Sequence, residues 1–231
     1  MILPENNHKF EFYLDKLKNN EHFSFTRWGD GEWLCLHDKS GGKNQNVDRH
    51  QFFPEMQKGM EKALKEDKGY FKACWPENHG QVGSISHIRV GYINNNWIQT
   101  EWVNATVWED LVLISGIDKL VKQLESMDFI IVSEKSKRKL SVKYKDFIEV
   151  PSVNCFLDKD RIKDEVIKLC DKYENPVFGF SASMATNVIV DELYDEVGDR
   201  CWMIDFGSIW DPFVGNRLRS YHDEYWGKKL W

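Results

Sequence analysis

The residues best suited to chemistry lie in one run, Phe23-Ser-Phe-Thr-Arg-Trp-Gly-Asp-Gly-Glu-Trp33. Phe23 and Phe25 alternate as in a strand that leads to Arg27, and Asp30 and Glu32 then flank a single residue, Gly31. Glycines such as Gly29 and Gly31 carry no Cβ and tolerate positive φ, so backbone can approach a ligand closely there. On an extended turn, residues i and i+2 share a face, so both carboxylates could meet one hard cation. A guanidinium three residues upstream suits a phosphate oxygen. The pattern therefore suggests a metal and diphosphate site, with Asp30 and Glu32 as ligands and Arg27 on phosphate. The plainer alternative is a solvated Asp-Gly hairpin turn.

The elements that must position these residues alternate in type. Helical spacing covers 8–20 and is followed by a strand at 22–28, a polar loop at 37–48 and a helix from Pro54 to Lys65. A strand is expected at 69–75, a Gly/Ser/His loop at 78–87 and an aromatic-rich helix at 97–108. Leu111–Ile114 reads as a buried strand and 117–124 as a helix. Strands at 128–132, 147–150, 176–180 and 201–204 then alternate with helices at 158–173 and 184–196. Short apolar strands alternating with helices predict a single α/β, Rossmann-like domain over 1–231 with a mainly parallel sheet.

In such sheets ligands sit at the carboxyl ends of strands. The nominated loops are Ser115-Gly116, Ser133 to Lys135, Ser152 to Asn154, Ser181 to Ser183, and Asp205 to Ser208 with Asp211. Small hydroxyl residues at helix starts can bind phosphate, although Ser183 could equally be an N-cap. His79 and His87 lie in a polar loop and could line an acceptor side.

The block Thr-Arg-Trp-Gly-Asp-Gly-Glu resembles the Arg-[Phe/Tyr]-Gly-Asp-Gly-Glu signature of the GT-D fold glycosyltransferases. Trp28 stands where that family has Phe or Tyr, an aromatic expected to pack beneath the turn. The segments 147–158, 179–186 and 203–208 are similar to later blocks of the family, with Ser208 where His is common. The resemblance implies transfer of a sugar from a nucleotide-sugar donor, with uridine diphosphate as the donor group. It also implies Mn²⁺ or Mg²⁺ on Asp30 and Glu32. Donor-binding candidates are Arg27, Gly29, Gly31, Ser133, Lys135, Ser152, Asn154, Ser181 and Ser183. Asp205 and Asp211 are the candidate bases, Asp205 being open to a second reading as a buried carboxylate bonded to backbone amides.

Composition bounds the partners. The chain has 29% charged and 42% apolar residues and a net charge of −6. That acidity argues against a general nucleic-acid grip, although Lys135-Ser-Lys-Arg-Lys139 with Lys143 and Lys145 forms a local basic patch. Ten tryptophans, many beside Gly, Pro, Asn or Asp, suggest faces that could stack on sugars or bases. The expected acceptor is a glycan or polysaccharide, with a modified DNA base as the alternative. A non-catalytic nucleotide or carbohydrate binder is the third reading. No apolar run reaches the ~18 residues of a membrane span, and the start lacks a signal peptide's order, so a cytoplasmic protein is expected. The five scattered cysteines show no C-x-x-C spacing and predict neither a zinc cage nor a disulfide framework.

Overall fold

The computed structural model describes residues 9–37, 50–76, 86–113, 116–216, 219 and 222, with backbone alone at 112 and 113. Seven strands form one sheet: β1 (Ser24–Trp28), β2 (Phe71–Cys74), β3 (Trp102–Asn104), β4 (Asp128–Ser133), β5 (Asp146–Glu149), β6 (Pro176–Ser181) and β7 (Trp202–Asp205). Their order is β3-β2-β1-β7-β6-β4-β5, and every pairing is parallel. The central strands β1, β4, β6 and β7 are buried nearly end to end. Strands covered on both faces need continuous apolar runs rather than alternation, which is what Phe-Ile-Ile-Val and Val-Phe-Gly-Phe supply.

The helices are α1 (Phe10–Lys18), α2 (Asp30–His37), α3 (Pro54–Lys65), α4 (Ser86–Asn95), α5 (Val107–Leu113), α6 (Ile117–Glu125), α7 (Lys159–Lys172) and α8 (Ala185–Val197). One layer packs α3 and α7 on α8, and α2 on α3 and α4; the other packs α1 on α5 and α6. Gly179, in the middle of β6, admits two rings: a Cβ there would lie 2.8 Å from Phe129 and 3.0 Å from Phe206. Among the described residues no helix is long and apolar enough to cross a membrane.

The connections locate a crevice. From β4 the chain moves outward to β5, whereas from β6 it moves the other way, to β7. Connections departing in opposite directions leave a gap outside the carboxyl ends of those two neighbours. A second set of strand ends, β1 and β7, lies one strand further along.

Three local expectations are corrected. The segment 97–108 is not one helix: it contains β3 and only its last two residues begin α5, and Leu111 lies in α5 rather than in a strand. A short unbroken apolar run looks the same in a buried strand and a buried helix. The helix wins here because Thr106 starts it: its hydroxyl lies 2.8 Å from Asp110 Oδ2, and its backbone carbonyl accepts from the Asp110 N–H at 2.8 Å. Gly116 therefore precedes a helix without following a strand, and Ser115 lies outside the described residues. The loops expected at 37–48 and 78–87 also fall largely outside them, His79 included, while His87 sits in the first turn of α4.

The tryptophans are a further correction. Trp28, Trp33, Trp102, Trp108, Trp202 and Trp210 are fully buried, and Trp75 nearly so. Trp28 and Trp33 lie 6.0 Å apart, and Trp33 and Trp102 5.6 Å apart, beneath the α2 turn. Trp97 is 89% exposed; Trp226 lies outside the described residues. Their size is used for core volume, so most of the expected stacking surface is withdrawn.

Candidate functional site

The strand carrying Phe25 and Arg27 stops at Trp28, and Gly29 turns the chain into α2. Asp30 and Glu32 thus occupy the first helical turn. Helical residues two apart do not share a face, so the extended geometry expected for Asp30-Gly31-Glu32 is corrected. Two forces favour the helix start. Carboxylates near a helix N-terminus are stabilised by its dipole. The Gly29 N–H also donates to Glu32 Oε2 at 2.8 Å, while the Gly29 carbonyl accepts from the Trp33 N–H at 3.3 Å. That is the side-chain-to-backbone half of a capping box. The Trp75 ring covers the turn, 3.5 Å from where a Cβ on Gly29 would stand.

Asp205 arrives from the neighbouring strand end. It accepts from the Arg27 N–H at 3.3 Å and from the Gly207 N–H at 2.9 Å, the amide-bonded arrangement that was its second reading. Burial pushes the Asp205 carboxyl up to about 6, against the Arg27 charge and the two amides, which pull it down. Burial likewise pushes Glu32 up to about 8. Asp205 and Asp30 add to that rise with like charge, and amide hydrogen bonds oppose it. The Asp30 carboxylate makes no hydrogen bond or ion pair among the described residues.

The fit to a divalent cation follows from this donor set. Among the described residues no group of three or more His, Cys, Asp or Glu side chains is arranged to hold a metal. Mg²⁺, however, is usually held by one or two carboxylates plus water and substrate phosphate. Asp30 is half-buried, and Glu32 is lifted toward its protonated form beside two other acids. The like charge that Asp205 and Asp30 exert on Glu32 brings the three acids near one another despite the helical spacing, and a hard cation completed by substrate oxygens would relieve it.

Arg27, nominated for phosphate, has another partner. Its guanidinium pairs with Glu109 of α5 and lies over Gly207, where a Cβ would clash with Nη1. Gly207 has φ +54°, so its lack of a side chain serves both the turn and the arginine. The Arg27 carbonyl accepts from Asn187 Nδ2 at 2.9 Å, which ties α8 to the end of β1.

At the crevice, Ser133 and Ser181 are register partners on β4 and β6. Both hydroxyls are buried, without a hydrogen-bond partner among the described residues. Lys135 is exposed, at the start of a 3₁₀ turn over Lys135–Lys139. Within that turn Lys137 is buried, 3.0 Å from Glu134 and 2.5 Å from Asp211. The candidate base Asp211 is thus neutralised by a lysine. Arg138 pairs with Glu149 at 3.1 Å, so the basic patch is partly internal.

The remaining nominees sit beside this crevice. Ser152 is exposed. Asn154, with φ 56°, donates its N–H to His50 Nδ1 at 3.0 Å, and its Oδ1 accepts from the Gln51 N–H at 2.7 Å. Ser183 is exposed with φ 54°, and its carbonyl accepts from the Thr186 N–H at 3.0 Å. His50, Gln51, Asn154, Ala182 and Ser183 line a shallow recess at the start of α8.

Several residues of this edge were missed from sequence. Glu109 and Asn187 sit in helices far along the chain, with no local pattern to mark them. His222 is fully buried; its protonated form is disfavoured by burial, while Asp211, the Ser208 backbone and Glu109 favour it. Arg89 of α4 is also buried, and donates from Nη1 to the Trp75 carbonyl at 2.7 Å.

Geometry defines the class: an α/β, Rossmann-like chain with an all-parallel seven-stranded sheet and an acidic site at its carboxyl edge. Comparison with protein-family models, with curated proteins and with solved structures finds no match to the chain.

Proposed function

We propose that this protein is a metal-dependent glycosyltransferase that moves a sugar from a nucleotide-sugar donor, a uridine diphosphate sugar, to a glycan or polysaccharide. The observation that carries the reading is the meeting of Asp30 and Glu32 on the first turn of α2 with Asp205 from the end of β7. Burial, with like charge added, lifts Glu32 there to about 8. The resemblance of the 26–32 block to a glycosyltransferase signature supports the same assignment.

Each residue then has a task. Asp30 and Glu32 would hold Mn²⁺ or Mg²⁺. When bound, the cation offsets charge that builds on the leaving diphosphate. The Ser133 and Ser181 hydroxyls lack partners among the described residues and would hydrogen-bond the donor in the crevice. Asp205 is aimed by two amides and has a carboxyl near 6, which suits it to accept the acceptor hydroxyl's proton at neutral pH. Asp211 positions Lys137 instead. A DNA-base acceptor would need a stacking platform, and the burial of most tryptophans disfavours it.

The test incubates the full chain with a panel of nucleotide sugars and Mn²⁺, scoring free nucleoside diphosphate. The expected result is turnover of one donor that falls roughly a hundredfold or more in the Asp30→Asn, Glu32→Gln double variant. Transfer by that variant in the presence of chelator would refute the metal assignment. Donor binding with no turnover under any condition would leave a binding protein in place of an enzyme.

A further inference from the structure

Among the described residues Arg89 has a surplus of hydrogen-bond donors and no counter-charge. It is 1% exposed, and among those residues it forms no ion pair and its Nε and Nη2 have no hydrogen-bond partner. Its polar neighbours are the Trp75 carbonyl, 2.7 Å from Nη1, and the Cys74 thiol. Burial pushes that thiol up to about 12, so it stays neutral and cannot balance the arginine. A buried guanidinium left uncompensated is costly, and unsatisfied buried donors in a folded chain call for an explanation.

Position supplies one. Arg89 is the fourth residue of α4, a helix of ten residues with no acidic side chain in its first turn. Helical side chains lean toward the N-terminus, and the contact with Trp75 places the guanidinium between that first turn and the carboxyl end of β2. The junction of a parallel strand with the N-terminus of a helix is where backbone N–H groups and the helix dipole favour an anion. The Trp75 ring in turn lies on Gly29, so this junction adjoins the Asp30 and Glu32 turn. Arg27, the cation expected to meet phosphate from sequence, is paired with Glu109.

We propose that Arg89 and the first turn of α4 form a phosphate-binding site that takes the diphosphate of the donor, an inference that rests on the glycosyltransferase reading. The planar guanidinium offers two adjacent nitrogens to two phosphate oxygens, a match that a point charge does not reproduce. Pyrophosphate would then meet the guanidinium at the junction of β2 and α4, with the carboxylate turn beside it.

Titration calorimetry of the full-length protein with inorganic pyrophosphate and with uridine diphosphate, each with Mg²⁺, tests this. Arg89→Met keeps the volume and removes every donor; Arg89→Gln keeps a donor for the Trp75 carbonyl and removes the charge. Both variants are expected to lose at least tenfold in affinity for both ligands, with thermal melting confirming that each is folded. If Arg89→Met fails to fold, Arg89→Gln alone decides. Unchanged affinity in a folded variant, or no pyrophosphate binding by the wild type, would overturn the site. Arg89-dependent pyrophosphate binding without turnover of any nucleotide sugar would keep the site and remove the enzymatic reading. Donor turnover untouched by Arg89→Gln would do the reverse.

Discussion

Glu32 closes the first turn of α2 through the Gly29 amide and faces two other acids. Its folded carboxyl titrates near 8, well above the ordinary value of 4.5. A raised acid binds its proton more tightly in the folded state, so its contribution to stability is complete below about pH 4.5. That contribution is lost as pH rises through about 8. Asp205, lifted to about 6, acts in the same direction over a lower window. Without metal the melting temperature is therefore expected to fall between pH 6 and pH 8.5. Glu32→Gln keeps the capping acceptor and removes the charge, so it should flatten this slope and exceed the wild type at pH 8.5 by on the order of 1 kcal/mol. Mn²⁺ should raise the wild-type melting temperature at pH 8.5 and leave the variant unchanged; a wild-type curve flat from pH 6 to 8.5 would contradict the burial argument. Sequence alone named Asp30, Glu32 and Asp205, because Gly-Asp-Gly-Glu and a strand-end Asp are local signals. It did not foresee Glu109 taking Arg27, 82 positions away, or Arg89 standing without a carboxylate among the described residues, since both depend on how separate elements meet in space.

At the scale of elements, β6 depends on a missing side chain. A Cβ on Gly179 would meet Phe129 at 2.8 Å and Phe206 at 3.0 Å. Gly179→Ala should therefore destabilise by about 1–3 kcal/mol, the usual cost of overpacking. An unfolding midpoint in urea checks this, and an unchanged midpoint would mean that the rings move aside freely. A glycine within an apolar strand marks close approach in sequence, although not what approaches. Helices such as α3, α7 and α8 are legible because apolar residues recur at helical spacing over three turns or more. β3 and α5 are not, because three and seven residues are too few to show a period, and the contacts of Thr106 decide between them.

The whole molecule separates its chemistry from part of its scaffolding. The acids, the paired hydroxyls and Arg89 gather at the carboxyl edge of the sheet, whereas an ion cluster joins the start of β2 to α8 at the other end. There the Tyr70 hydroxyl donates to Asp191 at 3.0 Å, and Lys68 lies 3.4 Å from Asp191 and 2.8 Å from Asp195. Tyr70→Phe should lower stability by about 1–2 kcal/mol and leave donor turnover unchanged once that turnover is measured; a matching loss of turnover would show that the two ends are coupled. The alternation of strands and helices is readable in one dimension and predicts the parallel sheet. Strand order is not, because nothing local makes β7 insert between β1 and β6. Among the described residues that insertion leaves β3 and β5 outermost, with three and four residues. Edge strands this short give little length to template a neighbouring chain, so crowded solutions of this protein should resist growth by lateral strand addition.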